Sequence, residues 1–146
     1  MSNNIINKMI PLAQKGYCCS QILLLLALED GGQANPDLIR SMAGLCNGLG
    51  YSGEICGVLT GGACLMAFHA GKGTDEEQEN ERLTIMVSEL VQWFQDKIGG
   101  VYGGIKCDEI LGESHNRTPD QRICADILAK TYVMATAILE ANGIKT

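Results

Sequence analysis

Residues 83–94, LTIMVSELVQWF, carry the strongest helical pattern in the chain and decide its fold class. Their apolar side chains recur at intervals of three and four residues, which places them on one face of an α-helix. The members of this stripe are Leu83, Met86, Val87, Leu90, Val91 and Phe94. Outward from it, residues 123–138 carry a second such stripe and residues 5–13 a shorter one. The sequence therefore predicts an all-α protein.

Residues that start and stop helices divide the chain further. Asn35-Pro36 is typical of a helix start, and Thr118-Pro119-Asp120-Gln121 reads as a capping box. The acidic run 75–79 is expected to open a helix, because the helix dipole favours carboxylates there. The predicted helices cover residues 3–15, 17–30, 36–48, 54–71, 75–98, 104–111 and 119–142. With no linker in 146 residues, we expect one domain over residues 1–146, a compact bundle of five to seven helices.

Charge and hydropathy exclude several classes of function. The formal net charge is −6 and no lysine or arginine cluster is present, so a nucleic-acid partner is not expected. The longest uncharged stretch, residues 55–68, is too short to cross a bilayer, so no membrane insertion is expected. No secretory signal is evident, which predicts a cytoplasmic location. In a reducing cytoplasm structural disulfides are rare, and redox or metal-ligating thiols are favoured.

Seven cysteines occur in the chain, and none forms a CxxC pair. They are Cys18, Cys19, Cys46, Cys56, Cys64, Cys107 and Cys124. Of these, Cys19, Cys56, Cys107 and Cys124 fall near predicted helix starts, where free N–H groups and the helix dipole favour thiolate. Thiolates attack disulfides and bind metals, so the pattern predicts a redox or metal-binding protein. Cys56 is expected to be the most reactive, with a pKa below the usual thiol value.

The remaining candidate residues receive simpler interpretations. Cys46 and Cys64 lie further along their helices and are expected to serve as small buried hydrophobes. His69 is expected to complement a helix dipole, and His115 to be solvated. Trp93-Phe94 is interpreted as core rather than as the surface of a homodimer.

Gly57 and Gly61 lie four residues apart on one face of a predicted helix, within a glycine-rich region. One interpretation is close packing of a neighbouring helix. The other is that the backbone comes close to a cofactor, a cluster or a reactive sulfur, which makes both glycines candidate cofactor-binding residues. The sequence leaves both interpretations open.

Three short motifs resemble those of a known family. The segment 16–21, GYCCSQ, is similar to its GxNCAQ opening, and the segment 56–61, CGVLTG, to its central CGAxxG motif. Cys107, in CDEILG, and Cys124 match its two later cysteines. This is the C_GCAxxG_C_C family of redox-active proteins, and the resemblance covers about residues 10–135. It implies an all-α domain with four functional cysteines, here Cys19, Cys56, Cys107 and Cys124.

This sequence departs from the family pattern at two positions. Val58 stands where the motif has alanine, which adds bulk beside Cys56. Cys18 stands where the opening motif has asparagine, and would supply an extra resolving thiol.

Three functions are compatible with these residues. The first is thiol–disulfide chemistry with an unidentified redox partner. The second is a Cys₄ site, formed by Cys19, Cys56, Cys107 and Cys124, for an iron–sulfur cluster or another thiophilic metal in electron transfer. The third is a redox- or metal-sensing interaction module without catalysis. The residues do not decide whether the protein is an enzyme, and a homodimer is an open alternative.

Overall fold

The structure, a computed structural model, describes residues 2–112 and 121–146. Its helices are α1 (Ser2–Gln14), α2 (Cys19–Asp30), α3 (Pro36–Met42), α4 (Gly57–Ala70), α5 (Leu83–Phe94), α6 (Cys107–Leu111) and α7 (Gln121–Ala141). These residues contain no strand, only an isolated antiparallel bridge between Ile55 and Lys106. The predicted all-α fold is confirmed. The Thr118 capping box and His115 lie outside the described residues.

Helix α4 lies at the centre and packs against α2, α5 and α7. Two of its glycines make this close packing feasible. A Cβ on Gly61 would lie 3.0 Å from Ser20 Cα in α2, and one on Gly62 would lie 3.0 Å from Leu90 Cδ2 in α5. Real Cβ contacts are almost never tighter, so larger side chains would push the neighbouring helices away.

The apolar stripe of α5 faces the core as predicted. Met86, Leu90 and Phe94 are fully buried, and Trp93 is partly buried against the same core. The core interpretation of Phe94 is therefore correct. Helical backbone continues past Phe94 through a π-type turn, Gln95–Gly99, and the residues Gly100–Tyr102. The predicted stop at Gly99-Gly100 is therefore too early.

The acidic run 75–79 does not open a helix, because α5 begins only at Leu83. The backbone of this segment makes loop contacts instead. The Glu77 carboxylate accepts a hydrogen bond from Gly73 N–H at 2.8 Å, and Asn80 N–H donates to Ala70 C=O at 2.8 Å. The predicted helix start at residue 75 is wrong because these local bonds turn the chain before α5.

A left-handed segment follows Cys46, where the sequence predicted a right-handed helix through residue 48. A short 3₁₀ turn, Ala43–Leu45, comes after α3, and then all five residues 47–51 have positive φ, from 55° to 69°. Asn47 and Gly48 have ψ of 41° and 54°, which are left-handed helical values. L-residues rarely follow one another in this conformation, and Leu49 and Tyr51 are bulky. The segment reverses the chain between Cys46 and α4.

Within residues 2–112 and 121–146, no single helix is long and apolar enough to cross a membrane. Residues 4–14 and 19–30 meet the criteria of length and composition only when taken together, as a pair bent by 120°.

Candidate redox site

Four cysteines line one small cavity between the helix starts. Cys19, Cys56, Cys107 and Cys124 contribute to its wall, and its volume is about 20 Å³. Its other lining residues are Asn47, Gly57, Val58, Ile110, Leu111 and Ile127. We call it the four-cysteine cavity. It has room for about one water molecule, so its thiols are largely shielded from bulk solvent.

The antiparallel bridge brings two of these cysteines side by side. Cys56 N–H donates to Ile105 C=O at 2.9 Å, and Cys107 N–H donates to Glu54 C=O at 2.7 Å. Cys56 then caps α4, and Cys107 opens α6. Segments some 50 residues apart in sequence are thus held together by main-chain hydrogen bonds next to the two thiols.

Gly57 sets the distance between Cys19 and the start of α4. A Cβ at this position would lie 3.0 Å from Cys19 Sγ and 2.9 Å from Leu45 C=O. The missing side chain therefore lets a sulfur approach the backbone of α4, which was one of the two interpretations of this glycine. Gly61 lines no part of the cavity and packs on α2, so its role in binding a cofactor stays a prediction.

Burial raises the pKa of Cys56 to about 12, with a further contribution from Cys19. The N–H groups of Val58 and Leu59, at the start of α4, act on this pKa in the opposite direction. The expectation of a lowered Cys56 pKa is therefore wrong: the helix start stabilises the thiolate, but loss of solvent outweighs it.

The other thiols of the cavity behave in the same way. Burial raises the pKa of Cys19 to about 12, reinforced first by Cys124, while the N–H groups of Ser20 and Asn47 oppose the shift. Burial and the neighbouring Asp108 raise the pKa of Cys107. The reduced site therefore holds neutral thiols that interact electrostatically with one another.

The donor chemistry of the cavity suits a thiophilic metal, but its arrangement does not. Among the residues that the structure describes, no group of three or more Cys, His, Asp or Glu side chains is placed to hold a metal ion. A space for about one water molecule is also far smaller than a multi-iron cluster. An iron–sulfur cluster does not fit the site in this conformation.

Cys18 and Cys46 form a second sulfur pair. They are disulfide-bonded, with a Cα–Cα distance of 6.0 Å, which is ordinary for a disulfide. Cys46 is buried as expected, yet its interpretation as a simple hydrophobic filler is wrong. Sequence reasoning missed the pair because the left-handed segment, not helical periodicity, carries the chain away after Cys46 and leaves it beside the start of α2.

A cleft of about 270 Å³ adjoins the four-cysteine cavity. Cys19, Asn47 and Cys124 line both spaces, and Cys18 lines the cleft alone. The other lining residues of the cleft are Met9, Ala13, Gly16, Tyr17, Ile22, Tyr51, Ala125 and Leu128. The cleft gives a partner molecule a route to Cys18, Cys19 and Cys124.

Two other candidate residues lie away from this region. Cys64 is partly buried against the core and lines neither the cavity nor the cleft, in keeping with its interpretation as a small hydrophobe. His69, in the last turn of α4, has a pKa lowered by burial and partly restored by Asp30.

The fold and the sulfur arrangement together define a cysteine-rich, redox-active helical protein. A family model described as "Putative redox-active protein (C_GCAxxG_C_C)" matches residues 17–138, and the chain belongs to this family, which confirms the resemblance in its motifs. Comparisons with curated proteins and with solved structures gave no match.

Proposed function

We propose that the four-cysteine cavity is a thiol–disulfide redox centre that cycles between thiols and a disulfide. The observation that carries the proposal is the position of four motif cysteines, from four separate segments, on the wall of one cavity. A cavity shielded from water suits this chemistry, because neither the neutral thiol nor the disulfide places a net charge in the interior.

Cys19 is the central cysteine in this proposal. It interacts electrostatically with Cys56, Cys107 and Cys124, which indicates that its sulfur is near all three. It also lines the adjoining cleft, where a partner could reach it. Cys19 is therefore assigned the exchange with the partner, and another cysteine of the cavity resolves the intermediate.

The reaction follows ordinary thiol–disulfide exchange. Cys19 loses its proton and attacks one sulfur of a partner disulfide, which releases the other partner sulfur as a thiolate. A second cysteine of the cavity loses its proton and attacks Cys19 Sγ, which releases the remaining partner sulfur. Two electrons and two protons pass to the partner. Because the raised pKa of Cys19 keeps its thiolate scarce, we expect slow exchange in the absence of a specific partner.

A Cys₄ metal site is the second candidate, carried by the same convergence of thiols. A bound cation would stabilise thiolates that burial and mutual repulsion otherwise disfavour. It would require Cys19, Cys56, Cys107 and Cys124 to rearrange, since they form no metal-holding group as described.

Thiol counting on anaerobically purified protein, combined with metal analysis and a UV–visible spectrum, tests these proposals. We expect mild oxidation of reduced, metal-free protein to remove two thiols or more from the cavity. Cys19→Ser should suppress this loss, whereas the matched variant Cys64→Ser should retain it. A stoichiometric metal with a charge-transfer band would favour the Cys₄ site instead.

Turnover separates an enzyme from a sensor. Sustained reduction of a disulfide substrate would show catalysis, whereas a single oxidation that changes the protein's shape would favour the redox-sensing module. Cavity thiols that resist both oxidation and metal loading would contradict the proposal.

A further inference from the structure

The pair Cys18–Cys46 lies apart from the four-cysteine cavity, since neither residue lines it. The two sulfurs differ in access. Cys18 is partly exposed and lines the cleft, whereas Cys46 is 8% exposed and does not line it. A thiol entering the cleft therefore meets the Cys18 side of the disulfide.

Ser20 links both sulfurs to the protein interior. Its side chain is fully buried, and its hydroxyl donates to Met42 C=O at 2.8 Å. The same oxygen lies 3.3 Å from Cys18 Sγ and 3.3 Å from Cys46 Sγ. Since the single hydroxyl proton is used on Met42, the oxygen can only accept from the sulfurs.

This arrangement favours the reduced pair. Thiols carry protons that they can donate to Ser20 Oγ, but the sulfurs of a disulfide carry none. Reduction therefore adds up to two hydrogen bonds to a buried oxygen, and in the oxidised pair that oxygen lacks both donors.

We propose that Cys18–Cys46 is a second thiol–disulfide exchange site, which a small uncharged thiol or dithiol reduces through the cleft, and that Ser20 is a positioning residue that stabilises its reduced form. The charge of the surroundings supports this class of reductant. None of the residues that line the cleft is charged, and the formal net charge of the chain is −6, so an anionic thiol is disfavoured.

The proposed reaction balances with a thiol as the reductant. The thiolate attacks Cys18 Sγ, the Cys18–Cys46 bond breaks, and Cys46 leaves with the electron pair and takes up a proton. A second thiol, from the same dithiol or from another molecule, attacks the reductant's sulfur in the mixed disulfide, and Cys18 leaves and is protonated. Two electrons and two protons enter the protein, and the reductant becomes a disulfide.

Two monothiols that differ in charge test the selectivity of the cleft. Oxidised full-length protein is treated with 2-mercaptoethanol or with anionic 2-mercaptoethanesulfonate at equal thiolate concentration and physiological salt. Alkylation and peptide mass mapping then measure the reduction of Cys18–Cys46 separately from the cavity cysteines. We expect the neutral thiol to react at least about tenfold faster. Equal rates, or a pair that stays unreduced while the folded protein is intact, would overturn the proposal.

Ser20→Ala tests the positioning role by equilibrium with dithiothreitol buffers. We expect the equilibrium to shift about tenfold toward the disulfide, because the reduced thiols lose their shared acceptor. Thr131→Val is the matched control: Thr131 is also fully buried, and its hydroxyl has no partner among the described residues. This control should leave the equilibrium unchanged.

Unfolding curves recorded for the oxidised and the reduced form of each variant show whether a loss of stability alone explains the result. A loss of stability that is equal in both forms leaves the thiol–disulfide equilibrium unchanged. An unshifted equilibrium in folded Ser20→Ala, or an equal shift in Thr131→Val, would contradict the role of Ser20.

Discussion

At the scale of single residues, Gly57 is the position where sequence and sulfur geometry meet most directly. We expect Gly57→Ala to lower the free energy of unfolding by about 1–3 kcal/mol, because the new methyl would overpack Cys19 Sγ and Leu45 C=O. The oxidation of Cys19 should slow in the same variant. Urea unfolding and peptide mapping measure the two effects. In Gly44→Ala the new methyl would meet no atom within 4 Å, so this variant should change neither property.

The raised thiol pKa values predict how the stability of the reduced protein depends on pH. Cys19 and Cys56 have folded pKa values of about 12, above the value of about 8.5 for an unfolded thiol. The unfolded chain therefore releases protons that the folded protein keeps. Their contribution to stability is complete below about pH 8.5 and is lost as the pH rises toward about 12.

Urea unfolding of reduced, metal-free protein at about pH 7.5 and about pH 10 measures this loss of stability. The variant Cys19→Ala/Cys56→Ala retains the titration of the lysines and tyrosines and provides the comparison. Its stability should fall less than that of the wild-type protein. If the two proteins lose equal stability, the cavity thiols do not have the raised pKa values assigned to them.

At the scale of elements, the left-handed segment connects both sulfur sites. It follows Cys46 directly, contributes Asn47 N–H to Cys19, and places Tyr51 at the cleft. Its non-glycine residues adopt a conformation that costs about 1–2 kcal/mol each, and such local strain is characteristic of functional sites. Several glycines in the segment keep this cost tolerable.

Two glycines of this segment form a matched pair of substitutions. Both have a φ near +68°, but a Cβ on Gly48 would lie 2.6 Å from Glu54 N and O, whereas one on Gly50 would meet nothing within 4 Å. We expect Gly50→Ala to cost about 1 kcal/mol of stability for its left-handed backbone alone. Gly48→Ala should cost clearly more, by roughly 2 kcal/mol or above. Similar losses for the two variants would mean that the segment is less tightly packed than described.

The sequence predicts elements best where one periodicity dominates. The stripe of α5 identified Met86, Leu90 and Phe94 as core, since burial of one helix face repeats every three to four residues. The contact of Gly57 with Cys19 was one of two open interpretations. The Cys18–Cys46 pair could not be predicted, because a left-handed segment after residue 46 has no periodic signal. The pKa of Cys56 was mispredicted because burial depends on tertiary packing that helix position alone does not specify.

At the scale of the whole molecule, the Cys18–Cys46 disulfide closes a loop with a sequence separation of 28. Loop-closure entropy predicts that it stabilises the protein by about 3–4 kcal/mol. Cys18→Ser/Cys46→Ser should therefore unfold at lower urea concentration than the oxidised wild-type protein. The difference should disappear when this pair is reduced in the wild-type protein. Oxidised Cys64→Ser is the control and should retain the difference, and an undiminished difference after reduction would show that the serines, not the lost cross-link, cause it.

The central claim is that Cys19, Cys56, Cys107 and Cys124 form one redox centre. Peptide mapping of the monomeric, metal-free protein under non-reducing conditions, after stepwise oxidation, tests it most directly because it identifies which cysteines become linked. The account predicts that new disulfides form only between members of this set, and that Cys64 stays free. New disulfides that join Cys64 or a second protein molecule, with the four cavity thiols still reduced, would contradict it.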